Sequence, residues 1–357
     1  MLKFIKSFFY LILATSTCIV LFIFSTLWYF SNDLPDYKIL SKYEPPISSR
    51  VYSGDGQLIA EYAVQKRLFI PFGSVPKLVI NSFISAEDKN FFSHPGIDAK
   101  GITRAIIKNI SNVINTRRLE GASTITQQVA KNFLLSSEVS VKRKIKEAIL
   151  AFRIERAYDK EKIMELYLNQ IYLGQGAYGI AAASLEYFDK SVNELNYEEA
   201  ALLAALPKAP SKYNPYKSKK LAKKRRNLVL KNLFDNSYLN KKQYKKLITK
   251  KIVLKKRNIK LVQEANFYSE EVRRLVNNSY GFNKLYKEGL SIRTPLYPEF
   301  QIQAVKSLRH GLEVYDRRRG WQGELANINT NKNWENIIKN FKLESNLGWK
   351  VAKIKTI

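Results

Sequence analysis

The chain has 357 residues and a net charge of +29, with 60 lysines and arginines against 31 aspartates and glutamates. That size allows one large or two medium domains, and the charge favours an anionic partner: nucleic acid, an anionic membrane surface or a phosphorylated substrate. The single cysteine, Cys18, excludes an intramolecular disulfide framework and a multi-cysteine zinc site, and its apolar surroundings make it a small buried hydrophobe.

Residues 7–30 contain no charged side chain, and a run of that length spans a bilayer as a helix. Lys3 and Lys6 precede it and Asp33 and Asp36 follow it, so the N-terminus is expected in the cytoplasm and the rest outside. The run is too long for a signal-peptide core and no small-x-small site closes it, so residues 1–31 are expected to form a cytoplasmic stub and an uncleaved transmembrane anchor. With the bulk of the chain outside, nucleic acid is not the expected partner. Residues 32–50 carry Pro35, Pro45 and Pro46 and read as an extended linker beside the membrane.

Residues 51–72 alternate apolar and polar positions around Gly54-Asp55-Gly56, which predicts a small hairpin. From residue 77 to about 252 apolar residues recur at helical spacing. The glycine-rich stretch at 174–179 interrupts it, and without a following Lys-Ser/Thr pair it is not a phosphate loop. Residues 217–257 hold one acid, Asp235, among many lysines. They read as solvated basic helices or as a surface drawn to anionic headgroups. After residue 290 a short strand, a turn and a helix through about 312 are expected.

Four segments carry chemistry. In 86–98, Glu87 and Asp88 close an apolar helix end, where a desolvated carboxylate gains basicity; capping or a salt bridge is the plainer reading. In 121–135, Ser123, Thr124, Thr126, Gln127 and Gln128 form an uncharged polar cluster followed by Lys131. It suits a sugar or phosphate surface, or a helix cap at Ser123 or Thr124. In 141–155, Glu147 lies four residues after Arg143, on the same helical face. Residues 161–188 read as an amphipathic helix, a glycine turn and a small-residue helix.

In this order the segments resemble the glycosyltransferase module of class A penicillin-binding proteins and monofunctional peptidoglycan glycosyltransferases. The first motif is Glu87, Asp88, Phe91 and His94, and the second is Gly121 with 123–128. The third is Arg143-Lys144 with Glu147, and the fourth is Tyr167-Leu168-Asn169 through Tyr172, Gly174 and Gly176. The fifth runs through Leu206-Pro207-Lys208-Ala209-Pro210 to Asn214-Pro215. The resemblance implies a mainly α, lysozyme-like glycosyltransferase domain of the family 51 type over residues 51–260. Residues 261–357 resemble the stretch that joins the two modules of bifunctional members and the start of a transpeptidase-type region. Ser74-Val75-Pro76-Lys77 lies before the first motif and is not read as an acyl-transfer nucleophile.

The resemblance further implies the polymerisation of lipid II into glycan strands in the cell wall, with inversion and release of undecaprenyl pyrophosphate. Glu87 is the implied base and Glu147 the second carboxylate. Asp88, Phe91, His94, Ser123, Thr124, Gln127, Gln128, Lys131, Arg143, Lys144, Asn169 and Tyr172 are the implied substrate-binding set. No cofactor is required, although a divalent cation (Mg or Mn) could assist the leaving group. The implied partners are lipid II, the growing lipid-linked glycan, the inner membrane and a separate transpeptidase. Two departures stand out: Val139 where many members carry a basic residue, and Asp189 where glycine is usual. The polar stretch 109–120, with Arg117 and Arg118, reads as a mobile loop near the donor phosphates. A degraded scaffold and a lysozyme-like hydrolase are the competing readings; the second would need an acid on a glycosidic oxygen.

Overall fold

The computed structural model describes residues 2–43, 46–114, 123–136, 138, 140–255, 262–320, 323 and 335–336. Helix α1 covers Leu2–Ser31. Among the described residues no helix is long and apolar enough to cross a membrane, and the expected anchor falls in part on side chains outside the described residues. Cys18 is exposed on α1, not buried as expected, because the helix stands away from the core around it. The expected extended linker instead contains a 3-10 turn, Tyr37–Lys42, capped by the Asp36 side chain, and it buries Leu40.

The expected hairpin forms. Strands β1 (Ser49–Tyr52) and β2 (Leu58–Tyr62) pair antiparallel across the Gly54–Gly56 turn. A distant strand, β5 (Ser291–Arg293), adds in parallel to β1. Strand β3 (Lys66–Arg67) pairs with β4 (Ala177–Tyr178).

The helical body holds α2 (Lys77–Glu87), α3 (Ala99–Ile114), α4 (Ile125–Leu134), α5 (Val141–Ala157), α6 (Lys160–Gln170), α7 (Ile180–Phe188), α8 (Tyr197–Ala205), α9 (Lys219–Asp235) and α10 (Lys241–Thr249). Helix α8 is central. Its Ala200, Ala201, Ala204 and Ala205 are buried, and these small side chains let α2 and α9 lie close against it. Helix α4 packs on α5 and α6. Helix α6 is buried at Ile163, Met164, Leu166, Tyr167, Leu168 and Asn169, so it runs through the body rather than over it. Because α3 continues to Ile114, the start of the loop expected at 109–120 is helical, and its remainder lies outside the described residues, as does Val139.

Helix α11 (Asn266–Lys287) packs on β1 and β2. With β5 it belongs to a compact unit that ends at Pro295. The second unit, 296–357, contains α12 (Pro298–Arg319), which starts on a proline and extends past the expected end near 312.

Asp189 fills the glycine position in left-handed geometry, with φ 53° and ψ 42°. An aspartate tolerates that region better than most residues, so the turn after α7 is kept.

Candidate active site

Helix α2 ends at Glu87, and Asp88 caps it with φ −158° and ψ 79°. The two carboxylates therefore leave the helix in different directions. Asp88 is buried. It accepts the His94 Nε2 at 3.0 Å and the Ile125 backbone N–H at 3.0 Å. The Gly96 N–H donates to His94 Nδ1 at 3.1 Å, which assigns the ring proton to Nε2. Thr124 Oγ1 donates to the Gly96 carbonyl at 2.6 Å. These bonds join the end of α2 to the start of α4.

Thr124 is the N-cap of α4. Its Oγ1 accepts the Gln127 N–H and the Gln127 side chain accepts the Thr124 N–H. This reciprocal cap satisfies two donors that a helix start leaves open. Beneath it, Thr126 Oγ1 donates to Glu155, whose carboxylate also takes Lys160 Nζ at 2.6 Å. Lys160 lies over the Phe91 ring, 4.5 Å from its centroid. Phe91 itself is fully buried.

Glu87 stands at the end of this frame. Gln128 Nε2 donates to its Oε2 at 2.9 Å, while its Oε1 is sealed from solvent and has no hydrogen-bond partner. Burial pushes its carboxyl above the usual range, against the pull of Gln128 and of Arg225, Lys208 and Lys131. Asn232 of α9 and its C-cap, Asn236, hold the last turn of α2 in place: Asn232 Nδ2 donates to the Ser85 carbonyl and Asn236 Nδ2 to Ser85 Oγ. The result is a half-buried carboxylate, one oxygen sealed from solvent, in the field of three cations, a combination suited to taking a proton beside developing negative charge.

A second charge centre lies on α5. Glu147 is 1% exposed, with Arg143 Nε 3.1 Å from Oε1 and Lys144 Nζ on Oε2. Lys144 Nζ also donates to Ser123 Oγ at 2.8 Å, which ties α5 to the residue before the α4 cap. One buried carboxylate thus holds two cations in place, with Lys144 half exposed.

Asn169 is buried and fully engaged: Oδ1 accepts the Ile70 N–H, and Nδ2 donates to the Ile70 and Glu165 carbonyls. Tyr172 is partly exposed, with its ring 4.8 Å from Tyr178.

The transglycosylase family model matches residues 55–234, half of the chain and both charge centres. This chain belongs to the transglycosylase family. Penicillin-binding protein 1A of Rickettsia felis is 50% identical over 317 residues, covering 88% of this chain and 40% of that protein. That of Aquifex aeolicus is 47% identical over 282 residues, 79% of this chain and 38% of its own length. The crystal structure of penicillin-binding protein 1A from Haemophilus influenzae superposes with a TM-score of 0.51 at 26% identity, covering 85% of this chain and 36% of that one. The chain spans about 40% of the length of the curated relatives it matches.

Sequence reasoning missed two of the cations in this member of the transglycosylase family. Lys208 stands in the fifth motif but was given no role. Arg225 was hidden among the lysines of α9. Its signal was position: it lies three residues after buried Ala222 and four before buried Val229, on the packed stripe of a basic helix. Its Nε is buried without a hydrogen-bond partner, and its guanidinium sits 6.0 Å from the Tyr213 ring.

No group of three or more His, Cys, Asp or Glu able to hold a metal occurs among the described residues. Glu147 is paired with two cations, and Glu87 is flanked by Lys131, Lys208 and Arg225. A divalent ion placed on either carboxylate would face these cations.

Proposed function

We propose that this chain is a membrane-anchored peptidoglycan glycosyltransferase that polymerises lipid-linked disaccharide. The observation that carries the reading is Glu87, half-buried, with one carboxylate oxygen sealed from solvent and unpartnered, in the field of three cations. The acceptor's 4-hydroxyl gives its proton to Glu87 as its oxygen attacks the anomeric carbon of the donor. The bond from that carbon to the pyrophosphate oxygen breaks, and undecaprenyl pyrophosphate departs with the electron pair. Attack from the far face inverts the centre. Lys131, Arg143 and Lys144 bind the developing charge as fixed cations, and Lys208 and Arg225 join them on the Glu87 side. Glu147 orients Arg143 and Lys144. Asp88, His94, Thr124 and Gln127 hold the turn that presents Ser123, Gln128 and Lys131, while Asn169 braces the fourth motif and Phe91 packs beneath the first.

Anchorage by α1 is supported by its uncharged stretch at residues 7–30 and by exposed Leu13, Leu21, Phe24, Trp28 and Tyr29. On this reading the chain sits in the bacterial inner membrane, with its catalytic face on the outer side. The growing lipid-linked glycan is then the product and the next donor.

The test is polymerisation of fluorescent lipid-linked disaccharide in detergent, with native chain and Glu87→Gln side by side. Long glycan from the native chain and none from the variant is the expected result. A native chain that makes no polymer across several detergents, or that shortens preformed glycan, overturns the reading.

A further inference from the structure

Tyr167 lies on α6, 1% exposed, and its hydroxyl is buried with no hydrogen-bond partner among the described residues. Packing does not ask for that oxygen, since a phenylalanine would fill the same space. Its ring meets Phe83 edge-on, with centroids 6.1 Å apart. Phe83 is one helical turn before Glu87 on α2, so the ring sits beneath the end of that helix. Burial holds the phenol well above its usual range, and the negative charges of Glu87 and then Asp88 push it further. The group is therefore a standing O–H donor with two carboxylates in its field.

Of those two carboxylates, Glu87 is the one with an oxygen that has no partner. Asp88 is bonded to His94 and to the Ile125 N–H. Glu87 uses Oε2 for Gln128, and its Oε1 is buried and unpartnered. A buried donor without an acceptor thus lies against Phe83, one helical turn before a buried acceptor without a donor, and one water joining them removes two costly vacancies in bonding at once.

We infer that Tyr167 is a positioning residue for Glu87, its hydroxyl donating to a buried water that in turn donates to Oε1 of the ionised carboxylate. The bond holds the ionised form and leaves Oε2 and Gln128 on the substrate side. It acts alongside the other groups around Glu87: Asp88 from α2, Lys131 and Gln128 from α4, Lys208 from the link after α8, and Arg225 from α9. The inference deepens the base assignment made above and rests on it.

Tyr167→Phe tests it in two ways. The acidic limb of kcat/KM against pH is expected to move upward, with roughly tenfold lower activity on that limb and recovery towards native rates at higher pH. A residue that only packs would change the rate at all pH values and leave the limb in place. The second readout needs no polymerisation. Thermal unfolding at neutral pH is compared for native, Tyr167→Phe, Glu87→Ala and the double variant. Loss of the hydroxyl is expected to lower Tm in the native background and to leave it unchanged or raised in the Glu87→Ala background. An unmoved limb, or equal Tm changes in both backgrounds, overturns the inference. If the native chain makes no polymer, the Tm comparison alone decides.

Discussion

The chain leaves helical geometry between Glu87 and Asp88, and that break sends two adjacent carboxylates into different surroundings. Asp88 receives bonds from His94 and Ile125, whereas Glu87 keeps one oxygen without a partner. A continuous helix would have fanned them about its axis without this separation.

Burial raises the Glu87 carboxyl in the folded chain, so the folded state binds that proton more tightly than the unfolded one. Stability therefore falls as pH rises from the ordinary carboxylate range through the folded value, and stays lower above it. Glu87→Gln removes the titration. The variant is expected to lose polymerisation yet be more stable than the native chain near pH 8, with no advantage near pH 3. Urea midpoints at the two pH values check this.

Asp88→Asn keeps the shape but removes the charge that both donors meet. A fall of roughly 2–3 kcal/mol in unfolding free energy is expected from weakening buried bonds to a charged acceptor. Lost activity should track lost folded protein.

Gly96 has φ +94°, and a Cβ there would meet the Ala151 carbonyl oxygen at 2.8 Å. Gly96→Ala is expected to cost about 2–4 kcal/mol through strain and overlap. Because Gly96 also bonds His94 and Thr124, the Tm loss should come with loss of activity.

Glu147→Gln frees Lys144 and Arg143 from the carboxylate that orients them. Glycan synthesis is expected to drop about a hundredfold in kcat, the scale for losing a fixed electrostatic contact. The acidic limb set by Glu87 should stay where it is.

Arg225→Gln takes away a cation that lowers the Glu87 carboxyl. Its acidic limb is expected to shift upward, and activity on that limb to fall several-fold, as read from initial rates across pH.

Local rules read local contacts well. Helical spacing put Arg143 and Glu147 together, and they pair at 3.1 Å; the polar cluster at 123–128 did open a helix, with its cap at Thr124. The glycine and aspartate turn gave the hairpin. What escaped depends on distant parts of the chain. Nothing near Asn169 signals that its amide closes on Ile70, 99 residues away, and nothing near Arg225 signals Glu87. The linker's buried Leu40 and the exposed Cys18 were also missed, because burial depends on which faces of the body are covered.

The third strand of the sheet has a consequence for how the molecule is made. The Leu290 N–H donates to Ser49 Oγ across 241 residues of sequence, beside the β1–β5 pairing. At typical ribosome speeds the hairpin waits roughly ten to fifty seconds for that strand. During this interval the edge of β1 is open to pairing with another nascent chain. The helices from 77 to 249 emerge first and can assemble meanwhile, so the hazard falls on the hairpin alone. Ribosomes spaced closely on one message would bring such edges together, and slower initiation would keep them apart.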